Sequence, residues 1–341
     1  MPPLRASLPP LAMVIALFLA ACSPAGSSAS ASATSAATGG ELRPVTLLLG
    51  YRPDVQFAPF YLAQRGGYYA DAGLEVTIEH KQAPDVVRLV ADGEAEFGVA
   101  DATDTMIART SGIPVVAIST LYARFPVALI GAEGSVPSDP ADLAGLRIGT
   151  PGRFGSSWHA LLALLDAGGL TPEDVTIREY PQFDQAAGLL AGDVDLITGF
   201  RNNEPLRLEA EGMTPDLLTV DDIAPLPGPG VFTSDTLLAD DPGLAQAFAS
   251  ATAAAQQAVI DDPQAGFDAA AAEVSAIAED PETARAILDA TAELWSGEGG
   301  FDGGRIDTEL WATGYATMKR LGFIDGSVPL EEIIAPQVLG G

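Results

Sequence analysis

Short apolar runs alternate with longer helix-patterned segments along most of this chain, and that alternation limits its fold more than any other feature. Residues 45–49, 74–78, 97–100, 115–121 and 127–130 read as strands. Between them, 57–69, 85–91 and 102–109 read as helices, with Ala72-Gly73 and Gly93 as stops and Asp101 placed to cap the third. A second series of the same kind begins near Ala132. Ser138-Asp139-Pro140 opens a helix, 146–150, 175–177 and 194–198 are strands, and 158–167 and 183–190 are helices. The stretch 225–230 is dense in Pro and Gly and reads as a crossover, followed by a returning strand at 231–233. From Ala239 onward the pattern is helical, with helices expected over 242–260, 263–278, 281–294 and 307–321, each opened by an acid or polar residue near a Pro, or by an acid alone. This rhythm predicts an α/β fold with largely parallel sheets flanked by helices. At about 100–200 residues per domain, 341 residues allow two such units.

The first 40 residues have a different character. Arg5 is the only charge before Glu41, and the apolar run 11–20 is shorter than the roughly 20 residues that span a bilayer. A basic start, a short apolar stretch and small residues form a secretory signal pattern. Leu19-Ala20-Ala21-Cys22 resembles a bacterial lipobox, and Cys22 is the single cysteine of the chain; an ordinary signal segment with an incidental cysteine is the plainer reading. Residues 1–21 are thus expected to be a lipoprotein signal peptide. Residues 22–40, rich in Ser, Ala, Thr and Gly, are expected to form a flexible tether with a reach of roughly 20–25 Å. The body would then be lipid-anchored through Cys22 on the extracytoplasmic face of the cell membrane.

Composition removes several function classes. Acids outnumber bases 46 to 17, and a net charge of −29 repels a phosphate backbone, so no nucleic-acid partner is expected. One cysteine cannot build a disulfide framework or a multi-cysteine zinc site, and His80 and His159 cannot supply a three-histidine site. Neither a metal nor a cofactor is expected. Lys81 and Lys319 are the only lysines, and no G-x-S-x-G elbow or G-x-x-x-x-G-K loop is present. No catalytic residue is assigned.

Several motifs carry a family resemblance. Gly50-Tyr51-Arg52-Pro53-Asp54-Val55-Gln56-Phe57-Ala58-Pro59-Phe60 and Gly67-Tyr68-Tyr69-Ala70-Asp71-Ala72-Gly73-Leu74 are two of them. Leu143-Ala144-Gly145-Leu146-Arg147-Ile148-Gly149, Gly152-Arg153-Phe154-Gly155-Ser156-Ser157 and Asn202-Asn203-Glu204-Pro205 are others. Together they resemble a type II periplasmic solute-binding protein of an ABC transporter, in the nitrate/sulfonate/taurine and thiamine-pyrimidine branch that includes riboflavin binders. The resemblance implies two α/β lobes, each a mainly parallel sheet with flanking helices, joined by two crossovers and closing on ligand by a hinge. The lobes are expected at 41–128 with 231–341 and at 129–230, the crossovers at 128–132 and 227–231, and the C-terminal helices on the first lobe. The implied partners are a small-molecule ligand and a membrane permease, with the chain a monomer. Pyrimidine synthases of the same fold need a cleft lysine and a cysteine cluster, and this chain lacks both.

Ligands of open α/β sheets sit beyond the carboxyl ends of the strands. The loops expected there hold Tyr51, Asp54, Gln56 and Phe57; Asp101 and Asp104; Phe154, Gly155, Ser156, Ser157 and Trp158; and Asn202, Asn203 and Glu204. Aromatic faces with carboxylates and amides suit a flat heteroaromatic ring bearing N–H groups, such as a thiamine pyrimidine precursor or riboflavin. Each group also has a plainer role. The aromatics have core spacing, Asp101 is placed to cap, Gly155-Ser156-Ser157 can cap or offer N–H groups, and Asn202-Asn203-Glu204 can be turn chemistry. Arg124, Arg153 and Arg201 lie near these loops and either bind an organic anion such as a sulfonate or pair with local acids. His159 reads as a packed core residue and His80 as a surface one.

Overall fold

The computed structural model describes residues 41–297 and 299–340. The expected signal segment, Cys22 and the tether lie outside the described residues. The strands are β1 (Arg43–Leu49), β2 (Leu74–His80), β3 (Phe97–Ala100), β4 (Val115–Thr120), β5 (Val127–Ala132), β6 (Arg147–Thr150), β7 (Thr176–Glu179), β8 (Leu196–Phe200), β9 (Pro215–Thr219) and β10 (Gly230–Ser234). They form two five-stranded sheets, in the orders β2-β1-β3-β10-β4 and β7-β6-β8-β5-β9. In each sheet four strands run one way and the fourth in spatial order runs against both neighbours: β10 in the first, β5 in the second. The sheets are therefore mixed, each with a parallel majority. Leu47, Leu48 and Leu49 are all buried because β1 is covered on both faces, which makes its sequence a continuous apolar run.

The reversed strands are the ones reached by crossing between sheets. The chain leaves the first sheet after Thr120 and enters the second at Val127; it leaves the second after Thr219 and re-enters the first at Gly230. Residues 128–132, expected as a connection, lie inside β5, whose buried Val127, Ala128, Leu129 and Ile130 place it within the second sheet. The crossing falls at 121–126 instead, and the return at 220–229.

The helices are α1 (Ala58–Arg65), α2 (Tyr68–Asp71), α3 (Ala83–Ala91), α4 (Ala102–Thr110), α5 (Gly155–Ala167), α6 (Gln185–Leu190), α7 (Glu204–Ala210), α8 (Asp235–Asp240), α9 (Pro242–Asp261), α10 (Pro263–Glu273), α11 (Pro281–Trp295) and α12 (Thr308–Arg320). The helix expected over 57–69 is split because Gly67 takes a left-handed φ of 85° between α1 and α2. α7, α8 and β9 are additions to the elements read from sequence. β9 is a half-exposed edge strand, so its segment Pro-Asp-Leu-Leu-Thr lacks a buried run. Ser138-Asp139-Pro140 opens a single 3₁₀ turn rather than a longer helix.

The C-terminal helices divide. α9, α10 and α11 pack on the first sheet and α1, where Phe248 stacks on Phe97 at 4.0 Å and on Tyr69 at 5.2 Å. α12 and the tail behind it join a different core. Trp311, Met318, Ile324 and Ile333 pack with α4, α5 and the second sheet, so the expectation that all C-terminal helices return to the first unit holds only up to α11. Ala117 of β4 also exchanges backbone hydrogen bonds with Ile333 and Ala335 of the tail, covering that sheet edge.

Candidate functional site

The carboxyl ends of strands from both sheets face a common hollow of about 850 Å³, its open mouth included. The loop after β1 supplies Gly50 and Tyr51, followed by Gln56 and Phe57, and the end of β3 supplies Ala100 and Asp101. The segment after β4 adds Leu121 and Tyr122. From the second sheet come Pro151, Phe154, Gly155, Ser156 and Ser157 after β6, Phe183 and Gln185 at the start of α6, and Gly199, Phe200, Asn203 and Glu204 at the end of β8 and the start of α7.

Aromatic rings meet across this hollow. Tyr51 and Phe183, from opposite sheets, pack edge to face with centroids 4.8 Å apart. Phe183 is also the one non-glycine residue with positive φ, 57°, among the described residues. A bulky residue held there carries backbone strain of about 1–3 kcal/mol, of the sort that collects at binding sites. Tyr51 is braced from behind by His80, whose Nδ1 bonds the Tyr51 carbonyl oxygen at 2.8 Å and whose Nε2 lies 2.9 Å from the Tyr61 hydroxyl. His80 is thus half-buried under the β1 loop, not a surface residue, and burial lowers its pKa.

The polar groups of the wall are two carboxyls, Asp101 and Glu204, among amides and hydroxyls. Glu204 Oε2 accepts from the Phe200 N–H at 2.7 Å, while Oε1 has only a long bond, 3.3 Å, from Gln185 Nε2. Burial raises the Glu204 pKa above the ordinary carboxylate range, against the opposing pull of the Phe200 N–H and Arg207. Gly199 sits so close that a Cβ there would stand 2.8 Å from Glu204 Cγ, so only glycine leaves this carboxylate its place. Gln56 Oε1 accepts from the Tyr122 hydroxyl at 2.9 Å, leaving the Gln56 amide N–H groups for another partner. Asp101 and Asp104 reach from α4 to the first amides of α5: Ser156 N–H donates to Asp101 at 2.7 Å and Gly155 N–H to Asp104 at 3.3 Å. Burial raises both pKa values, and the Asp101 charge raises that of Asp104 further.

Ten of the fourteen sequence-predicted contact residues lie on this wall: Tyr51, Gln56, Phe57, Asp101, Phe154, Gly155, Ser156, Ser157, Asn203 and Glu204. The other four are elsewhere. Asp54 is buried behind the wall, capping the turn at Val55–Phe57 and accepting from Arg207 Nη2 of α7 at 2.8 Å. Asn202 donates to Thr291 Oγ1 of α11 at 2.7 Å. Trp158 is buried on α5 with the Arg153 guanidinium 4.9 Å over its ring. Arg124 is half-exposed outside the hollow, 4.0 Å from Asp221. Arg201 holds Asp221 at 3.1 Å and Arg153 holds Glu179 at 3.0 Å, so all three arginines face acids. His159 is a core residue as expected, bonded to Thr103 Oγ1 at 2.8 Å and pushed down to about 4 by burial.

Tyr122, Phe183, Gln185, Gly199 and Phe200 are the principal wall residues that sequence reasoning missed. Gly199 and Phe200 stand three and two positions before the Asn202-Asn203-Glu204 motif, and a window widened by three residues includes them. Phe183 and Gln185 follow a strand end, a position equivalent to the loops that were singled out.

Comparison with known proteins agrees with this architecture. The family described as "NMT1/THI5 like" matches residues 54–266. A riboflavin-binding protein, RibY, of Chloroflexus aurantiacus is 32% identical over 342 aligned positions, covering 97% of either chain. A formylaminopyrimidine-binding protein of Halalkalibacterium halodurans is 30% identical over 200 residues, 58% of this chain and 57% of that one. Among solved structures, the periplasmic aliphatic sulphonate binding protein SsuA of Escherichia coli superposes with a TM-score of 0.67 at 14% identity, covering 88% of this chain and 94% of SsuA. At that identity the likeness speaks for the periplasmic binding protein fold alone.

Proposed function

This chain belongs to the NMT1/THI5-like family, and on that premise we propose that it is a substrate-binding protein that captures a small heteroaromatic vitamin or vitamin precursor and hands it to an ABC importer. Riboflavin and a thiamine-type aminopyrimidine are the two ligands to test first. One observation carries the reading. The hollow is walled by aromatic rings from both sheets, its polar rim offers carboxylate and amide oxygens, and none of its wall residues is Arg, Lys or His among the described residues. A planar ring stacks on such walls while its N–H and O–H groups bond the rim. RibY, aligned along nearly the whole of both chains, is named for riboflavin and as a binding protein, which supports capture rather than catalysis.

Riboflavin and a formylaminopyrimidine should each be titrated into the protein by calorimetry, with flavin fluorescence as a second readout. Saturable one-to-one heat with either compound, and quenching in the flavin case, is the expected result. No saturable heat with either, or with a panel of other vitamins, removes the proposal. The organic-anion reading draws on Arg124, Arg153 and Arg201 and on the first amides of α5; the three arginines face Asp221 and Glu179, and the Gly155 and Ser156 amides are bonded to Asp104 and Asp101.

We also infer the membrane anchor from the segment before the body. A protein that delivers ligand to a permease gains from being tethered beside it, because tethering raises its effective concentration there. Expressed in a bacterial host with its N-terminus intact, the chain should fractionate with membranes, and Cys22→Ser should release it. Equal release of both forms speaks against lipidation at Cys22.

A further inference from the structure

The N-terminus of α5 is the natural seat for an anion in this hollow. It opens a helix of 13 residues, and its first amides carry the positive end of the helix dipole. The first two of these amides are nevertheless taken by the chain itself, Ser156 N–H by Asp101 and Gly155 N–H by Asp104. The two carboxylates arrive from the first-sheet side, at the start of α4. Asp101 stands at the N-cap position of α4, where such a side chain would bond its own helix, and it makes no such bond. Its capping capacity is spent on α5 instead. The seat is close-fitting, since a Cβ on Gly155 would stand 2.8 Å from Asp101 Oδ2.

A separate wall points the same way. Gln185 is 1% exposed and lines the hollow, and its Oε1 has no hydrogen-bond partner. Glu204 Oε1 beside it has only its long bond from Gln185. Buried acceptors without partners call for a ligand that brings donors. A second anion here would meet carboxyl groups on two walls and find the Gly155 and Ser156 amides occupied.

We propose that Asp101 and Asp104 serve as the built-in anion of this cavity, seated on α5, and that they restrict it to uncharged ligands carrying N–H or O–H donors. The proposal rests on the hollow being the ligand site described above, and it narrows the class of ligand that site accepts. Asp101 and Asp104 are then specificity residues. Their removal should change what binds rather than only how tightly.

The test uses ethanesulfonate and inorganic sulfate, titrated by calorimetry and followed at the Gly155 and Ser156 amide resonances. The unaltered protein is expected to show no saturable heat and no shift of those amides. The double variant Asp101→Ser/Asp104→Ser frees both N–H groups and removes the carboxyl pair that occupies them. Through those freed amides it should bind at least one of the anions, about 10- to 100-fold tighter than any residual binding by the unaltered protein, with shifts at those amides. Saturable sulfonate or sulfate binding by the unaltered protein at those amides overturns the proposal, as does a folded double variant with no gain for either anion. If the double variant does not fold, Asp101→Ser alone frees the Ser156 N–H and is judged by the same gain or its absence. The two proposals fail separately. Absence of heterocycle binding with a gain of anion binding in the variant sinks the vitamin reading alone, whereas sulfonate bound by the unaltered protein sinks the built-in anion whatever the heterocycles do.

Discussion

Replacing Glu204 with glutamine is expected to weaken heterocycle binding by about 10- to 100-fold while leaving the protein folded. The Glu204 carboxylate has two jobs on two oxygens. Oε2 holds the Phe200 N–H at 2.7 Å, and a glutamine carbonyl can keep that bond. The other oxygen then becomes an NH₂ group, so the acceptor beside Gln185 turns into a donor and meets the N–H of a ligand with like polarity. Folding stability should change by only about 1 kcal/mol, because the backbone N–H remains satisfied. A pH profile gives a second readout. Burial raises the Glu204 pKa, so as pH falls its carboxyl takes up a proton before an ordinary glutamate would. Ligand affinity of the unaltered protein should therefore fall on the acid side, starting above the usual carboxylate range, and Glu204→Gln should lose that acid limb. Equal affinity of the two proteins, measured at neutral pH with a ligand shown to bind, would remove Glu204 from the recognition rim.

Phe248→Ala should lower stability by about 3–5 kcal/mol in urea unfolding. The ring is fully buried on α9 and lies nearly parallel to Phe97 of β3 and to Tyr69 of α2, at interplanar angles of 9° and 8°. Truncation removes the middle of that three-ring stack, and the surrounding elements are pinned too firmly to fill the gap. Tyr69 is held by its hydroxyl against Thr252 Oγ1, and Phe97 is fixed in the sheet. Phe248 is absent from the wall of the hollow, so ligand affinity of the folded fraction should stay within about twofold. A loss under about 1 kcal/mol would mean that α9 contributes little to holding the C-terminal helices on the first sheet.

Much of the architecture was legible because fully covered strands need continuous apolar runs and helix starts need punctuation. β1, β3 and β4 announce themselves by the first rule; α9, α10 and α11 by Pro with a preceding Asp that bonds the first turn. β9 did not, since an exposed edge strand carries no such run. Strand direction was also hidden. The apolar sequence of β5 shows burial, but it says nothing of which sheet it joins or that it runs against its neighbours. At the site, the motif positions led to the right loops and then overreached within them. Asp54 and Asn202 share those loops with wall residues, yet their side chains turn outward to Arg207 and Thr291 and tie the loops to α7 and α11. Which side of a loop a short polar residue faces depends on partners more than 80 positions away, and no local spacing encodes that. Asp101 is the sharpest case. Its local sequence reads as a cap for α4, and the competing bond to α5 is visible only in three dimensions.

The exchange of reversed strands also governs the order in which the body can be completed during synthesis. β4 touches β3 only through β10, so the first sheet stays in two pieces, β2-β1-β3 and β4, until Ser234 has left the ribosome. By then every strand of the second sheet has been made. A nascent chain halted anywhere between β4 and β10 would carry exposed edges on both flanks of that gap, and it would be the form most inviting to a chaperone or a protease.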